Sequence, residues 1–178
     1  MKRSATESWK KNAEADRCKF MELKKHYSSI NDTLRHLRLQ VEDSINFARD
    51  YVPAFNSPNE FFLWLKPQLH YKLDPRNTEL LQSFPTLMIN NYYGKPGTGD
   101  CDCFTIAALA SCIVQPWANK KLYIILAGHN KFTPVHIWSG AELAGKNYPL
   151  DFTNPIPGKV REYPFTQKLY LKDINRKR

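Results

Sequence analysis

The chain lacks any apolar stretch long enough to cross a bilayer. Its longest, IAALASCIV at 106–114, falls well short of the roughly 20 residues that a spanning helix needs. The opening MKRSATESWKKNAEADR has no apolar segment of the secretory kind, so a reducing, cytoplasmic setting is expected. Cysteine is scarce, at four residues in 178, and these read as free thiols or ligands instead of a disulfide framework. No pair is spaced C-x-x-C, which argues against a redox couple. The C-x-C of Cys101 and Cys103, followed by eight apolar-rich residues before Cys112, fits structural zinc spacing poorly. No metal and no cofactor is expected. Internal repeats are also absent, which excludes a repeat architecture.

What is present suits one domain of ordinary size with a ring-rich core. Apolar residues make up 42%, with four Trp, nine Tyr and ten Phe. The net charge of +9 is unevenly placed. Residues 1–40 hold ten Lys/Arg against five Asp/Glu, and 159–178 hold seven against two, while 41–158 hold nine against ten. Basic ends flank a nearly neutral body. Such ends are either solvated tails or contacts for an acidic protein surface or nucleic acid.

Four segments are expected: a disordered basic stretch at 1–17, a helical arm at 18–55, a core at 56–165 and a basic tail at 166–178. Phe20, Leu23, Tyr27, Ile30, Leu34, Leu37 and Val41 alternate steps of three and four, then shift into Ile45, Ala48 and Val52. That seam predicts one helix over about 18–52, or two with a break near 28–32 where Asp32 caps the second. The seam either packs on its own domain or docks on an assembly partner. Its flanks, Lys24, His26, Arg38 and Gln40, offer no acidic counterpart for a self-paired coiled coil. Ser57-Pro58-Asn59-Glu60 has the devices of a helix start, and FFLWL continues to Pro67. TELLQSF reads as a short amphipathic segment. Residues 101–114 are apolar nearly all round and predict a central, buried helix. KLYIILA, PVHIWS and YPLDF predict three strands able to form a meander. FTQKLY adds a last strand before the basic tail.

The chemistry sits where these elements begin and end. Gly99-Asp100-Cys101 places Cys101 at a helix N-terminus, where the dipole and unpaired N–H groups favour a thiolate, with Asp100 as the cap. Cys103 lies about 200° further round the helix, at ~100° per residue, so it and Cys112 belong to the packing. His136 lies in the second strand next to Trp138. Asp151 lies in the third. A hairpin of these strands makes His136 and Asp151 neighbours, as a base and its orienting carboxylate. Taken singly, each residue also has a structural reading: a packed thiol, a satisfied core histidine, a turn cap.

The order of the parts carries more than their spacing. GDCD opens a helix, a strand histidine precedes a tryptophan by two, and Leu-Asp-x-Thr follows. Together with FFLWLKPQLHYKLDPRNTELLQSFPTLM, this resembles the transglutaminase-like superfamily, relatives of papain-type cysteine peptidases, in its small bacterial and phage members. The similarity covers about 58–155. It implies an α+β fold: a papain-like core whose central nucleophile helix packs on a small antiparallel sheet, here preceded by the helical arm. Matched position by position, it implies Cys101 as nucleophile, His136 as base and Asp151 as orienting carboxylate. Cys103 stands where relatives often carry a second Asp. The resemblance implies a peptidase or amidase acting on a peptide or protein substrate, or a transamidase if an amine is the acceptor. For a phage-encoded chain the setting is the host cytoplasm or the virion. The alternative is a non-enzymatic papain-like component of a phage or prophage assembly.

Overall fold

The computed structural model describes residues 29–75, 79–117 and 119–174. The expectations for 1–17, and for the first part of the arm, lie outside them. Within them the chain is α+β, with helices gathered against a single antiparallel sheet of four strands.

Helix α1 runs Ile30–Tyr51. Its cap is Ser29, whose hydroxyl accepts the Asp32 N–H at 3.3 Å. Asp32, expected as the cap, instead lies in the first turn and pairs with Arg35 at 2.8 Å, a favourable place for negative charge at a helix start. Leu34, Leu37, Val41 and Ala48 are buried and the helix packs on α4, Cys101–Val114. From Leu34 to Ala48, then, most of the apolar seam is covered by the chain's own core, while Ile30 stays exposed.

Helix α2, Pro58–Leu65, starts as expected. Ser57 accepts the Glu60 N–H at 3.3 Å, and Glu60 reaches back to the Asn56 N–H at 3.1 Å. Strand β1, Leu69–Tyr71, pairs in parallel with β2, Gly97–Gly99, setting Tyr71 opposite Gly99. Between them, residues 79–83 of the expected amphipathic segment form no helix. Asp74 takes the Leu80 N–H through its carboxylate. The helical turn instead begins one cap later, at α3, Phe84–Met88, behind Ser83 with a proline in its first turn.

The sheet runs β5-β4-β3-β6, from β3 Lys121–Gly128, β4 Pro134–Leu143, β5 Lys146–Leu150 and β6 Phe165–Tyr170. The first three form the expected meander. Part of the expected tail is therefore structural: 165–170 pairs along β3, and Ile174 is buried. Ile124, Leu126, Ile137, Ala141 and Leu150 join α4 in the core. At the Ala127/Gly128 bulge a Cβ on Gly128 would lie 2.5 Å from the Thr133 carbonyl oxygen, so only glycine lets the chain turn this tightly ahead of His136. No described helix is long and apolar enough to cross a membrane.

Candidate active site

Helix α4 is buried along almost its whole length, from Asp102 to Cys112. Its apolar circumference fixes it between α1 and the sheet and leaves its first residue, Cys101, half-buried. Thr105 ties the first turn to the sheet, donating to the Cys101 carbonyl at 2.8 Å and the Ile137 carbonyl at 3.5 Å. The Cys101 thiol lies by the Ile137 backbone, whose polarity favours the ionised form, one residue from His136.

His136 and Asp151 come together as the hairpin pairing predicts. With Ser139 opposite Leu150, Asp151 leaves the end of β5 beside β4. Its Oδ2 lies 3.0 Å from His136 Nε2. The side chains are 2% and 9% exposed. Thr153 completes the arrangement by donating its hydroxyl to Asp151 Oδ1 at 2.7 Å and its backbone N–H at 3.1 Å. Burial pushes the Asp151 carboxyl up, but the bonds from His136 and Thr153 outweigh it and leave the group below its ordinary value. An ionised Asp151 accepts, so His136 carries its proton on Nε2 and turns the lone pair of Nδ1 elsewhere.

The expected low-pKa thiolate at Cys101 does not fit its surroundings. Burial foremost, then the carboxyls of Asp102 and Asp100, push the thiol well above its ordinary value. At rest Cys101 is a neutral thiol. Asp100 occupies the cap position, yet its side chain makes no capping bond. It turns inward instead. Oxygen atoms of Asp100, Asp102 and the Cys103 sulfur lie within 4.8 Å of one another, all buried. One oxygen of each carboxyl has no hydrogen-bond partner. Among the described residues these three are the group placed to share a cation, and a shared proton serves the same need. Burial, with Asp100 and Glu79 nearby, holds the Asp102 carboxyl protonated well above the usual range. Burial and Asp100 push Asp74 up to about 7. Cys103 donates to the Leu80 carbonyl at 3.0 Å, so its thiol belongs to this buried cluster.

The raised Asp102 group links stability to pH. Its contribution is fully present below the unfolded value and is lost as pH rises through the higher folded value. Asp102→Asn is therefore expected to match the native chain near pH 4. Near pH 9 it should exceed it by about 1–3 kcal/mol, the cost of a buried unpaired polar or charged group. Urea unfolding at the two pH values checks this; a variant less stable at pH 9 contradicts it.

Two tyrosines missed in the sequence lie by the thiol. Tyr71 packs its ring on Phe104 at 6.1 Å. Burial, then Cys101 and the neighbouring carboxyls, push its phenol up to about 12, so it remains an O–H donor. Tyr163 lies against His136 at 5.8 Å between ring centroids. The signal for Tyr71 was its place ahead of Asp74-Pro75; Tyr163 had none. A cavity of about 450 Å³ bordered by Asp74, Leu80, Gln82, Thr98 and Gly99 opens beside the acidic cluster. Compared with known proteins, the chain matches no family model, no curated protein and no solved structure.

Proposed function

We propose that the protein is a cysteine-nucleophile acyl-transfer enzyme with a papain-like core of the transglutaminase-like kind, hydrolysing a peptide or carboxamide bond in a protein or peptide substrate. The observation that carries this reading is the buried 3.0 Å contact of His136 with Asp151, with the Cys101 thiol by the backbone of the next residue, Ile137. A purely structural domain has no use for an oriented imidazole beside a half-buried thiol at a helix start.

The neutral thiol sets the order of proton movements. As the Cys101 sulfur attacks the carbonyl carbon, its proton passes to Nδ1 of His136, and Asp151 holds the imidazolium that forms. First-turn N–H groups of α4 and the Tyr71 hydroxyl face the developing oxyanion. The imidazolium then protonates the leaving amine and a thioester remains on Cys101. Water, giving a proton back to His136, attacks the thioester and releases the acid and the free thiol. An amine in place of water makes the same site a transamidase. The alternative of a docking component is weakened within 30–51, where α1 packs on its own domain.

The test is an electrophilic probe with peptide mapping. Iodoacetamide is expected to label Cys101 ahead of the buried Cys103 and Cys112, with His136→Gln slowing that labelling by about 10²-fold, the low end for a general base. Equal labelling rates with and without His136 would overturn the mechanism.

A further inference from the structure

The ring of Tyr163 reaches His136 from the far side of the sheet. β6 begins at Phe165, opposite Gly128, while His136 lies on β4, opposite Ala127. β3 separates the two strands. Tyr163, two residues before β6, therefore leans across the end of β3. The residues there are Ala127 and Gly128, the two smallest side chains available, which leaves the way clear. His136, Trp138 and Tyr163 meet as three rings. Their centroids are 5.4 Å apart for His136–Trp138, 5.8 Å for His136–Tyr163 and 6.2 Å for Trp138–Tyr163. Their planes are inclined by 28° to 33°. The Arg161 guanidinium lies 5.7 Å from the Tyr163 ring centre, steadying it in turn.

This contact answers a question of burial. Ile137 joins the core, so by strand alternation His136 points away from it. Yet its side chain is only 9% exposed. Asp151 and Thr153 lie at its Nε2, and the two flat rings lie against the imidazole itself. It also answers a question of freedom. An imidazole held at Cβ by the backbone and at Nε2 by Asp151 can still turn about the line between those points. That turn swings Nδ1 toward or away from the thiol, and rings laid against the imidazole restrict it by simple sterics.

We propose that Tyr163 is a positioning residue for His136: its ring fixes the plane of the imidazole and keeps water from the His136–Asp151 bond. This rests on the reading of His136 as the base, so the experiment has two arms. One follows the ring N–H of His136 in protein labelled with ¹⁵N-histidine and measures its exchange with solvent. The other measures iodoacetamide labelling of Cys101 near pH 7. Tyr163→Phe is expected to match the native chain in both. Tyr163→Ala should speed ring-proton exchange and slow labelling, each by about tenfold or more. If Tyr163→Ala fails to fold, Tyr163→Leu is judged by the same measures. A non-aromatic variant that changes neither by more than about twofold, or a Phe variant as impaired as Ala, overturns the proposal. If labelling in the native chain proves independent of His136, the enzymatic reading falls, and the exchange arm alone still decides whether Tyr163 shields the His136–Asp151 pair.

Discussion

Asp151→Ala is expected to slow acylation of Cys101 by about 10³–10⁴-fold, the scale of losing the orienting acid in such a triad. With Asp151 ionised, His136 keeps its proton on Nε2 and offers Nδ1 as the acceptor for the thiol proton. Without it the ring takes either tautomer, and the one with a proton on Nδ1 cannot receive another from sulfur. The effect should exceed that at an ordinary cysteine nucleophile, because Cys101 has no thiolate in reserve: burial and two carboxyls hold it neutral. Asp151→Asn should be milder, since its amide oxygen still accepts from Nε2. Single-turnover acylation by an activated ester, followed by mass spectrometry, measures both variants. A loss below about tenfold in the alanine variant contradicts the assigned role. The same carboxylate contributes stability that is present above its unfolded value and is lost as pH falls through the lower folded one.

Phe152→Ala is expected to destabilise the fold by about 3–5 kcal/mol, the range for a fully buried ring cut back to a methyl group. Phe152 is 1% exposed. It stacks on Phe62 at 4.6 Å and meets Phe61 edge-on at 5.7 Å, so its loss removes packing from two adjacent buried rings of α2. Its neighbour in sequence is Asp151, and the Phe152 carbonyl accepts from Lys66. The residue thus anchors the backbone that presents the orienting acid. A lower urea midpoint with an unchanged slope is the expected signature. A midpoint close to the native one would show that the aromatic cluster closes over the gap.

The sequence made the long elements legible and left the short ones hidden. Helix α4 and the strands carrying His136 and the 121–127 run declared themselves because each repeats one pattern over many residues. β1 and β2 are three residues each; they exist because the chain brings 69–71 beside 97–99, which no local pattern records. TELLQSF reads as amphipathic from its apolar spacing, which does not say what conformation it takes. Over 79–83 it is irregular, and Leu80 gives its backbone N–H to Asp74, a contact that periodicity does not see. Asp100 shows the same limit at the site. Its place before Cys101 fits a helix cap, but a cap is defined by where the side chain turns, and this one turns toward Asp102 and Cys103. The neutral state of Cys101 follows first from burial and then from the Asp102 and Asp100 carboxyls, which the dipole argument leaves out. Tyr163 was beyond reach because it meets His136 only after β6 has crossed to the other side of β3.

Arg38 joins the beginning of the described chain to its end. It is 8% exposed, and one of its nitrogens donates to the carbonyls of Leu171 at 3.0 Å, Lys172 at 3.3 Å and Ile174. Those acceptors lie 133 or more positions later. At about 5–20 residues per second of translation, the guanidinium emerges from the ribosome roughly 7–27 seconds before they do. Until then the Arg38 charge has only Glu42, 3.1 Å away on the same helix, to meet it, and burying the rest of the guanidinium is costly. The last described turn thus closes on the first described helix, and the carbonyls that satisfy Arg38 are among the last groups to be made.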